Sequence, residues 1–339
     1  MNKTAVLLVN LGTPDSPKVS DVRKYLFEFL NDERVIDIPA FLRFILVNLI
    51  IVPFRAFKSA KLYENLWTDK GSPLLNYSIS LSNKLQNSFG EDYKVYLAMR
   101  YQNPSLKNVL EEIRKDACTK IIVFPLFPQY ASATTGSVYQ KVMEIIKDWW
   151  VIPELVFANE FYDDVNFIEA ISEIAKKYPI SNYDHIIFSY HGLPNRQVDK
   201  SHSDLHSCLN CECEKIFRDE FRYCYKATCY QTTRLIAKAL DIPEKKYTVS
   251  FQSRLDKNWL EPFSDEVLIS LAKNGAKKVL VFSPAFVADC LETIVEIGYE
   301  YQNIFTEHGG EKVQLVESLN DHPLWVETLK KIILKLDRK

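Results

Sequence analysis

Apolar positions along this chain follow two alternating patterns. Short runs rich in β-branched residues (Ala5–Val9, Lys120–Phe124, His185–Ser189 and Lys278–Phe282) lack the polar alternation of a half-exposed strand, so they predict strands buried on both faces. Between them the apolar period lengthens to that of a helix. Leu106, Val109, Leu110 and Ile113 share one face of a helix opened by Pro104, while Val267, Leu268 and Leu271 follow Ser264, placed as its cap, with Gly275 as the stop. A third helix is predicted over Ser137–Trp150. A fourth runs over Pro323–Leu336, with Trp325, Leu329, Ile332, Ile333 and Leu336 on one side. Strands alternating with helices, in the same order in both halves, predict an α/β chain of two similar doubly wound Rossmann-like domains with parallel sheets and a cleft between them.

The expected boundaries follow. Residues 1–152 form the N-terminal domain, ending near Trp150–Pro153. Residues 153–320 form the C-terminal domain, with a cysteine-rich insert at 200–229. Residues 321–339 are a terminal helix free to return to the first domain.

Charge narrows the function classes. The 42 basic and 44 acidic residues are dispersed, which excludes the basic patch that nucleic-acid binding needs. The apolar start, Ala5–Val9, is too short for a signal sequence, so a cytoplasmic location is expected. Phe44–Phe54, bracketed by Arg43 and Arg55, is the most apolar run. It falls short of the roughly 20 residues that span a bilayer, and it reads either as a core helix or as an exposed lip that touches lipid.

Candidate chemistry collects where strands end, the place where open α/β sheets bind ligands. His191 follows the run Ile186–Phe188, and Asp289, Glu292, Glu296 and Glu300 follow Val279–Phe282. A lone histidine is more often structural than catalytic, and three glutamates at i, i+4 and i+8 taken alone read first as a solvated face. An imidazole facing carboxylates nevertheless suits proton removal coupled to handling a borderline metal such as Fe(II). His202 and His206 lack such a setting. The hydroxyl-rich turn ending at Gly136 reads as a polar wall or helix cap, because a single glycine with no following lysine makes a poor phosphate cradle. Five of the seven cysteines fall close together: Cys208, Cys211, Cys213, Cys224 and Cys229. In a reduced compartment such thiols hold an iron–sulfur cluster or zinc, or stay free.

Six segments, in order, resemble the ferrochelatases, enzymes that insert Fe(II) into a porphyrin to make haem: Leu8–Pro14, Trp67–Leu74, Phe127–Gly136, Ser189–Pro194, Phe251–Pro262 and Ala288–Glu296. The resemblance implies a chelatase-like fold and the last step of haem formation, with Fe(II) and protoporphyrin IX as substrates and two protons released. His191 matches the active-site histidine and Glu292 its partner carboxylate. Glu296 and Glu300 match an acidic path along a helix with a widened turn. Leu11, Arg100, Tyr101, Tyr130 and Trp259 match positions that line or support the porphyrin pocket. Phe29, Leu30 and the run Phe44–Phe54 match the lip around its mouth, which implies peripheral membrane contact.

Some bacterial members carry clustered cysteines for a 2Fe-2S centre. That implies Cys208, Cys211, Cys213 and Cys224 as ligands here, with Cys229 as the alternative because cluster-free relatives also have a cysteine in that motif. The chain departs from the animal enzymes in lacking a cysteine-bearing C-terminal extension and in having Cys290 where they carry histidine. No arginine near Tyr63–Leu66 can be assigned to a porphyrin carboxylate. Three other readings stay open: a coproporphyrin-specific enzyme, a non-catalytic porphyrin carrier, and an iron–sulfur sensor.

Overall fold

In the computed structural model, residues 3–202, 207 and 212–338 are described. Two four-stranded sheets organise the chain. The first comprises β1 (Thr4–Gly12), β2 (Tyr93–Tyr101), β3 (Lys120–Pro125) and β4 (Glu154–Phe157), in the order β2-β1-β3-β4. The second comprises β5 (His185–His191), β6 (Tyr247–Gln252), β7 (Lys278–Phe282) and β8 (Lys312–Leu315), in the order β6-β5-β7-β8. All pairings are parallel, so each sheet is an α/β layer wound from its central strand in both directions.

The chain divides into two compact units. Unit 1 holds residues 1–127, 132–159 and 320–339, and unit 2 holds 128–131 and 160–319. In unit 1, Ala5, Leu7 and Val9 of β1 share a core with Leu110 and Ile113 of one helix and Val138 and Val142 of another. Helix Pro73–Ser88 packs on β1 and β2, and helix Pro323–Asp337 packs on β3 and on that same helix. Tyr93 Oη donates to Asp337 (2.6 Å), and Lys84 pairs with Asp321 (2.5 Å). In unit 2, Ile187, Val279 and Val281 face Leu268 and Ala272 of helix Ser264–Lys273 and Ile297 and Tyr301 of the helix that follows β7.

Three helix limits differ from those read in sequence. Helix Leu106–Lys115 is capped by Ser105, whose Oγ accepts from Asn108 N (3.3 Å), so Pro104 lies outside it. Ser264 opens its helix as the first residue but does not cap it. Its Oγ is instead engaged by Ser189 (3.0 Å) and Ser250 (2.8 Å), where burial gives a hydroxyl partner more value than an exposed cap does. Helix Ser137–Ile146 stops short of Trp150, which is wholly exposed and has no core to pack on.

The apolar run Phe44–Phe54 belongs to a continuous helix, Ala40–Leu66, of 27 residues with a π-helical turn over Leu46–Ile51. By length and composition that helix could cross a membrane, so an eleven-residue reading understates it. Its Val52, Ala56, Ala60 and Tyr63 stripe is buried, and it packs on helix Val19–Leu30. The opposite side exposes Phe41 (74%), Leu49 (65%) and Phe54 (77%), which removes the core-helix alternative for that face.

Candidate active site

Unit 2 brings the histidine and two of the glutamates to adjoining strand ends. His191 is the last residue of β5 and pairs with Gln252, the last of β6. The next residue must be glycine, because a Cβ at Gly192 would lie 2.8 Å from Gln252 O and 3.2 Å from the Trp259 ring. His191 Nδ1 lies 2.6 Å from Gly192 O. A carbonyl oxygen only accepts, so the proton sits on Nδ1 and Nε2 keeps its lone pair for an incoming proton. Trp259 and Phe286 are its aromatic neighbours, each with its ring centre 6.5 Å from that of the imidazole. Trp259 is held there by its bridge to Pro194.

The carboxylates come from the helix after β7. Leu291–Tyr301 is wound as a π-helix, with i→i+5 hydrogen bonding. Its entry is fixed by Thr293, whose hydroxyl accepts from Cys290 N (3.0 Å) and donates to the buried Asp289 (3.2 Å). The wide winding sets Tyr301, five residues on, against Glu296, with Oη to Oε1 at 3.2 Å. Gln252 Nε2 donates to Glu296 Oε2 and to Glu292 O, both at 3.0 Å. Ser253 adds its backbone N–H (2.9 Å) and its hydroxyl (2.5 Å) to the Glu296 carboxylate.

Ser253 pays for this with a φ of 62°, a left-handed conformation that costs a non-glycine residue about 1–2 kcal/mol. Two bonds to a carboxylate offset that strain. Burial raises the Glu296 carboxyl above its ordinary value, with Ser253, His191 and Gln252 pulling it the other way. Glu292 is half-buried and bonded to the Cys290 thiol, whose own proton is held tightly by burial and by that carboxylate. Glu300 is exposed, whereas Glu292 and Glu296 are both half-buried.

Gln252, Ser253 and Tyr301 were not singled out in the sequence. Gln252 ends β6 and Ser253 follows it, but Thr248 and Ser250 interrupt that strand's apolar pattern, so the strand-end rule that marks His191 marks them less clearly. Tyr301 had no such signal, because helical periodicity of 3.6 pairs Glu296 with Glu300 and only π winding pairs it with Tyr301.

The remaining predicted residues divide between the units. In unit 1, Leu11 precedes Gly12, whose φ is 120° and whose Cβ would collide with Tyr101 O at 2.1 Å. Arg100 is committed: its guanidinium meets Asp32 at 2.5 Å and Ser137 Oγ at 2.6 Å. Tyr101 is fully buried and donates to Asp32 (2.9 Å), so it supports this network from below. Burial would raise the Asp32 carboxyl, but hydrogen bonds from Ser137 and Arg34 N and the charge of Arg100 hold it below its ordinary value. Phe29 packs edge-on against Tyr101 (5.1 Å), with Leu30 buried beside it in sequence. In unit 2, Tyr130 meets Tyr223 edge-on at 5.5 Å.

Of the cysteines, Cys208 and Cys211 lie outside the described residues. Cys213, Cys224 and Cys229 are buried, and burial raises the Cys229 thiol, with the charges of Cys224 and Cys213 adding to that effect. The three therefore share one neighbourhood, into which Lys226 and Arg234 also bring positive charge. Among the described residues, no three His, Cys, Asp or Glu side chains are grouped to hold a metal ion.

The sequence profile of the ferrochelatases matches residues 3–336. This chain belongs to the ferrochelatase family. It is 43% identical over 332 residues to a ferrochelatase of Legionella pneumophila (strain Paris), covering 98% of each chain. It is 42% identical over 338 residues to that of Coxiella burnetii (strain Dugway 5J108-111), covering 98% of this chain and 94% of that one. Two solved structures share the fold at low identity. SirB from Bacillus subtilis with Fe3+ gives a TM-score of 0.54 at 12% identity, covering 98% of this chain and 95% of that chain. The sirohydrochlorin chelatase SirB of the subspecies spizizenii, in complex with cobalt, gives 0.55 at 11%, with the same coverage. As a ferrochelatase, this chain is an enzyme of the metal-inserting class, and its two parallel sheets are the α/β architecture of chelatases.

Proposed function

We propose that this ferrochelatase inserts Fe(II) into protoporphyrin IX to form protohaem, with His191 as the proton acceptor. The observation that carries the assignment is the 2.6 Å contact of Nδ1 with Gly192 O, which in the neutral ring places the proton on Nδ1 and leaves Nε2 as the base. A ring nitrogen with a free lone pair is a base that can accept a proton from a pyrrole N–H. Metal insertion requires two pyrrole N–H protons to leave as two of the four Fe–N bonds form in their place. His191 takes a proton from the ring, and Glu292 and Glu296 provide negative charge that favours approach of the dication. Glu296 is raised by burial and bonded to Ser253 and Tyr301, which makes it a group able to take up and pass on a proton. Glu300, exposed, is the outer end of that route.

Leu11, Tyr130 and Trp259 contact the macrocycle in this reading. Phe29 and Leu30 shape its entrance, and Arg100 and Tyr101 act indirectly by holding Asp32 and Ser137.

Two finer assignments accompany this one. Cys208, Cys211, Cys213 and Cys224 hold a 2Fe-2S cluster, with Cys229 as the alternative fourth ligand and zinc as the alternative occupant. The described thiols suit such a group because Cys213, Cys224 and Cys229 are buried near one another, with Arg234 bringing positive charge to Cys213 while Lys226 is paired with Glu214. When bound, the cluster supplies one-electron redox chemistry or structural bracing to this segment. The enzyme is cytoplasmic, and the exposed face of helix Ala40–Leu66 meets the membrane surface peripherally, since its other face is packed on protein.

The test is anaerobic insertion of Fe(II) into protoporphyrin IX by the wild type and by His191→Ala, with a visible spectrum recorded before substrate is added. His191→Ala should lower turnover by about 10²–10⁴-fold while porphyrin binding persists. Thiolate-to-iron bands in the starting spectrum support the cluster, and a colourless zinc-loaded protein excludes it. A wild type that binds porphyrin without metallating it would return the carrier reading. For the lip, Phe41→Glu with Phe54→Glu should abolish co-sedimentation with lipid vesicles; retained binding removes the membrane assignment.

A further inference from the structure

Unit 2 contains a partly open pocket of about 20 Å3 that shares Phe286 with the surroundings of His191. Its lining includes Phe167 and Ile171 from helix Val165–Ala175, Phe286 and Val287 from the loop after β7, and Ser283 and Ser318. The cavity is mainly apolar, yet two hydroxyls line it. Ser283 and Ser318 are each 8% exposed, and neither Oγ has a hydrogen-bond partner among the described protein atoms. A buried hydroxyl left without a partner is destabilising, because it has lost its bonds to water and gained none in return. Two such groups on one cavity point to a shared ligand that both donates and accepts. A water fits both the space and the chemistry, since it needs roughly 10–15 Å3 and two or more polar partners.

We propose that this cavity is a binding site for one water, which bridges Ser283 Oγ and Ser318 Oγ. The bridge ties the loop after β7 to the loop after β8. The two loops are otherwise joined by Ser318 N, which donates to Asp289 Oδ1 at 3.2 Å. The first loop carries Phe286, whose amide donates to Ser283 O (3.0 Å) and whose ring stands 6.5 Å from that of His191. The water therefore acts as a positioning element for one wall of the imidazole's surroundings, linking Phe286 to the sheet through β8. No catalytic step passes through it, and the bridge does not depend on which porphyrin the enzyme uses.

The test combines crystallography with amide hydrogen exchange on the intact protein. A high-resolution crystal structure of the wild type should show one water within hydrogen-bond distance of both serine oxygens. Ser283→Ala should remove that water and raise exchange about fivefold at Ser318 N, on the loop that was not altered, as expected for loss of one hydrogen bond. Ser318→Ala should do the same at Phe286 N. This reciprocal effect across the two loops is what a bridge requires and what a merely local change at either serine would not produce. The proposal is overturned by a wild-type cavity without a water, or by exchange that rises only on the loop carrying the substitution. Either single variant suffices if the other fails to fold.

Discussion

The two units wind four parallel strands in the same order, yet they treat a buried carboxylate in opposite ways. In unit 1, Asp32 meets the strand end of β2, where Arg100, Tyr101 and Ser137 all point hydrogen-bond donors at it. Hydrogen bonds from Ser137 and Arg34 N, joined by the charge of Arg100, outweigh burial there and hold the carboxyl below its ordinary value. In unit 2, Glu296 meets the ends of β5 and β6, where its donors are the uncharged Gln252, Ser253 and Tyr301. Burial then dominates and the carboxyl is raised. The difference shows how one topology separates tasks. A carboxylate that gathers hydrogen bonds and an arginine is held in its charged form, whereas one held only by neutral donors is left with its proton more tightly bound.

The strongest way to break this comparison is through the locked pair. Asp32→Ala leaves Arg100 buried without its counter-ion and should lower unfolding stability by about 3–5 kcal/mol, read by urea denaturation. A loss below about 1 kcal/mol would mean that the network is as loose as a surface pair.

Glu296→Gln comes next. It should lower metal insertion by roughly 10²-fold, in the range of a lost acid–base group, while the protein stays folded. The pH dependence of unfolding sharpens the contrast because the two signs oppose. Asp32, lowered in the folded state, contributes stability that is present above its ordinary value and is lost as pH falls through the folded one. Glu296, raised in the folded state, contributes stability that is present below its ordinary value of about 4.3 and is lost as pH rises through the folded one. Asp32→Asn should therefore flatten the acid limb of a stability–pH curve, and Glu296→Gln should remove the decline that begins above the ordinary glutamate value. Identical curves for the two variants would remove the distinction.

The smallest effect is expected at Ser253. Ser253→Gly relieves the left-handed strain but deletes one bond to Glu296, so stability should change by less than about 1 kcal/mol while turnover falls severalfold. An unchanged turnover would show that the serine hydroxyl does not help to hold the carboxylate.

Much of this was legible in the residues themselves, for a physical reason. Buried parallel strands must be apolar along their whole length, so β1, β3, β5 and β7 stand out as continuous runs, and the strand-end rule leads from β5 to His191. The acidic residues after β7 stand out likewise, because charges this close to a buried strand are unusual. The longer reach of helix Ala40–Leu66 was not visible, since Arg55, Lys58 and Lys61 interrupt its apolar run while leaving the helix itself unbroken.

By itself, then, the sequence determined the doubly wound α/β class, the family, and the placing of His191 and the glutamates at strand ends, all of which follow from local pattern and from residues adjacent in the chain. Only the tertiary structure decided which groups those side chains meet: Gln252 and Ser253 on Glu296, Asp32 on Arg100, Gly192 O on the imidazole. It also settled the π winding that brings Tyr301 rather than Glu300 to Glu296. Hydrogen bonding and charge depend on separations of a few ångströms between residues tens of positions apart, and no periodicity along the chain encodes those separations.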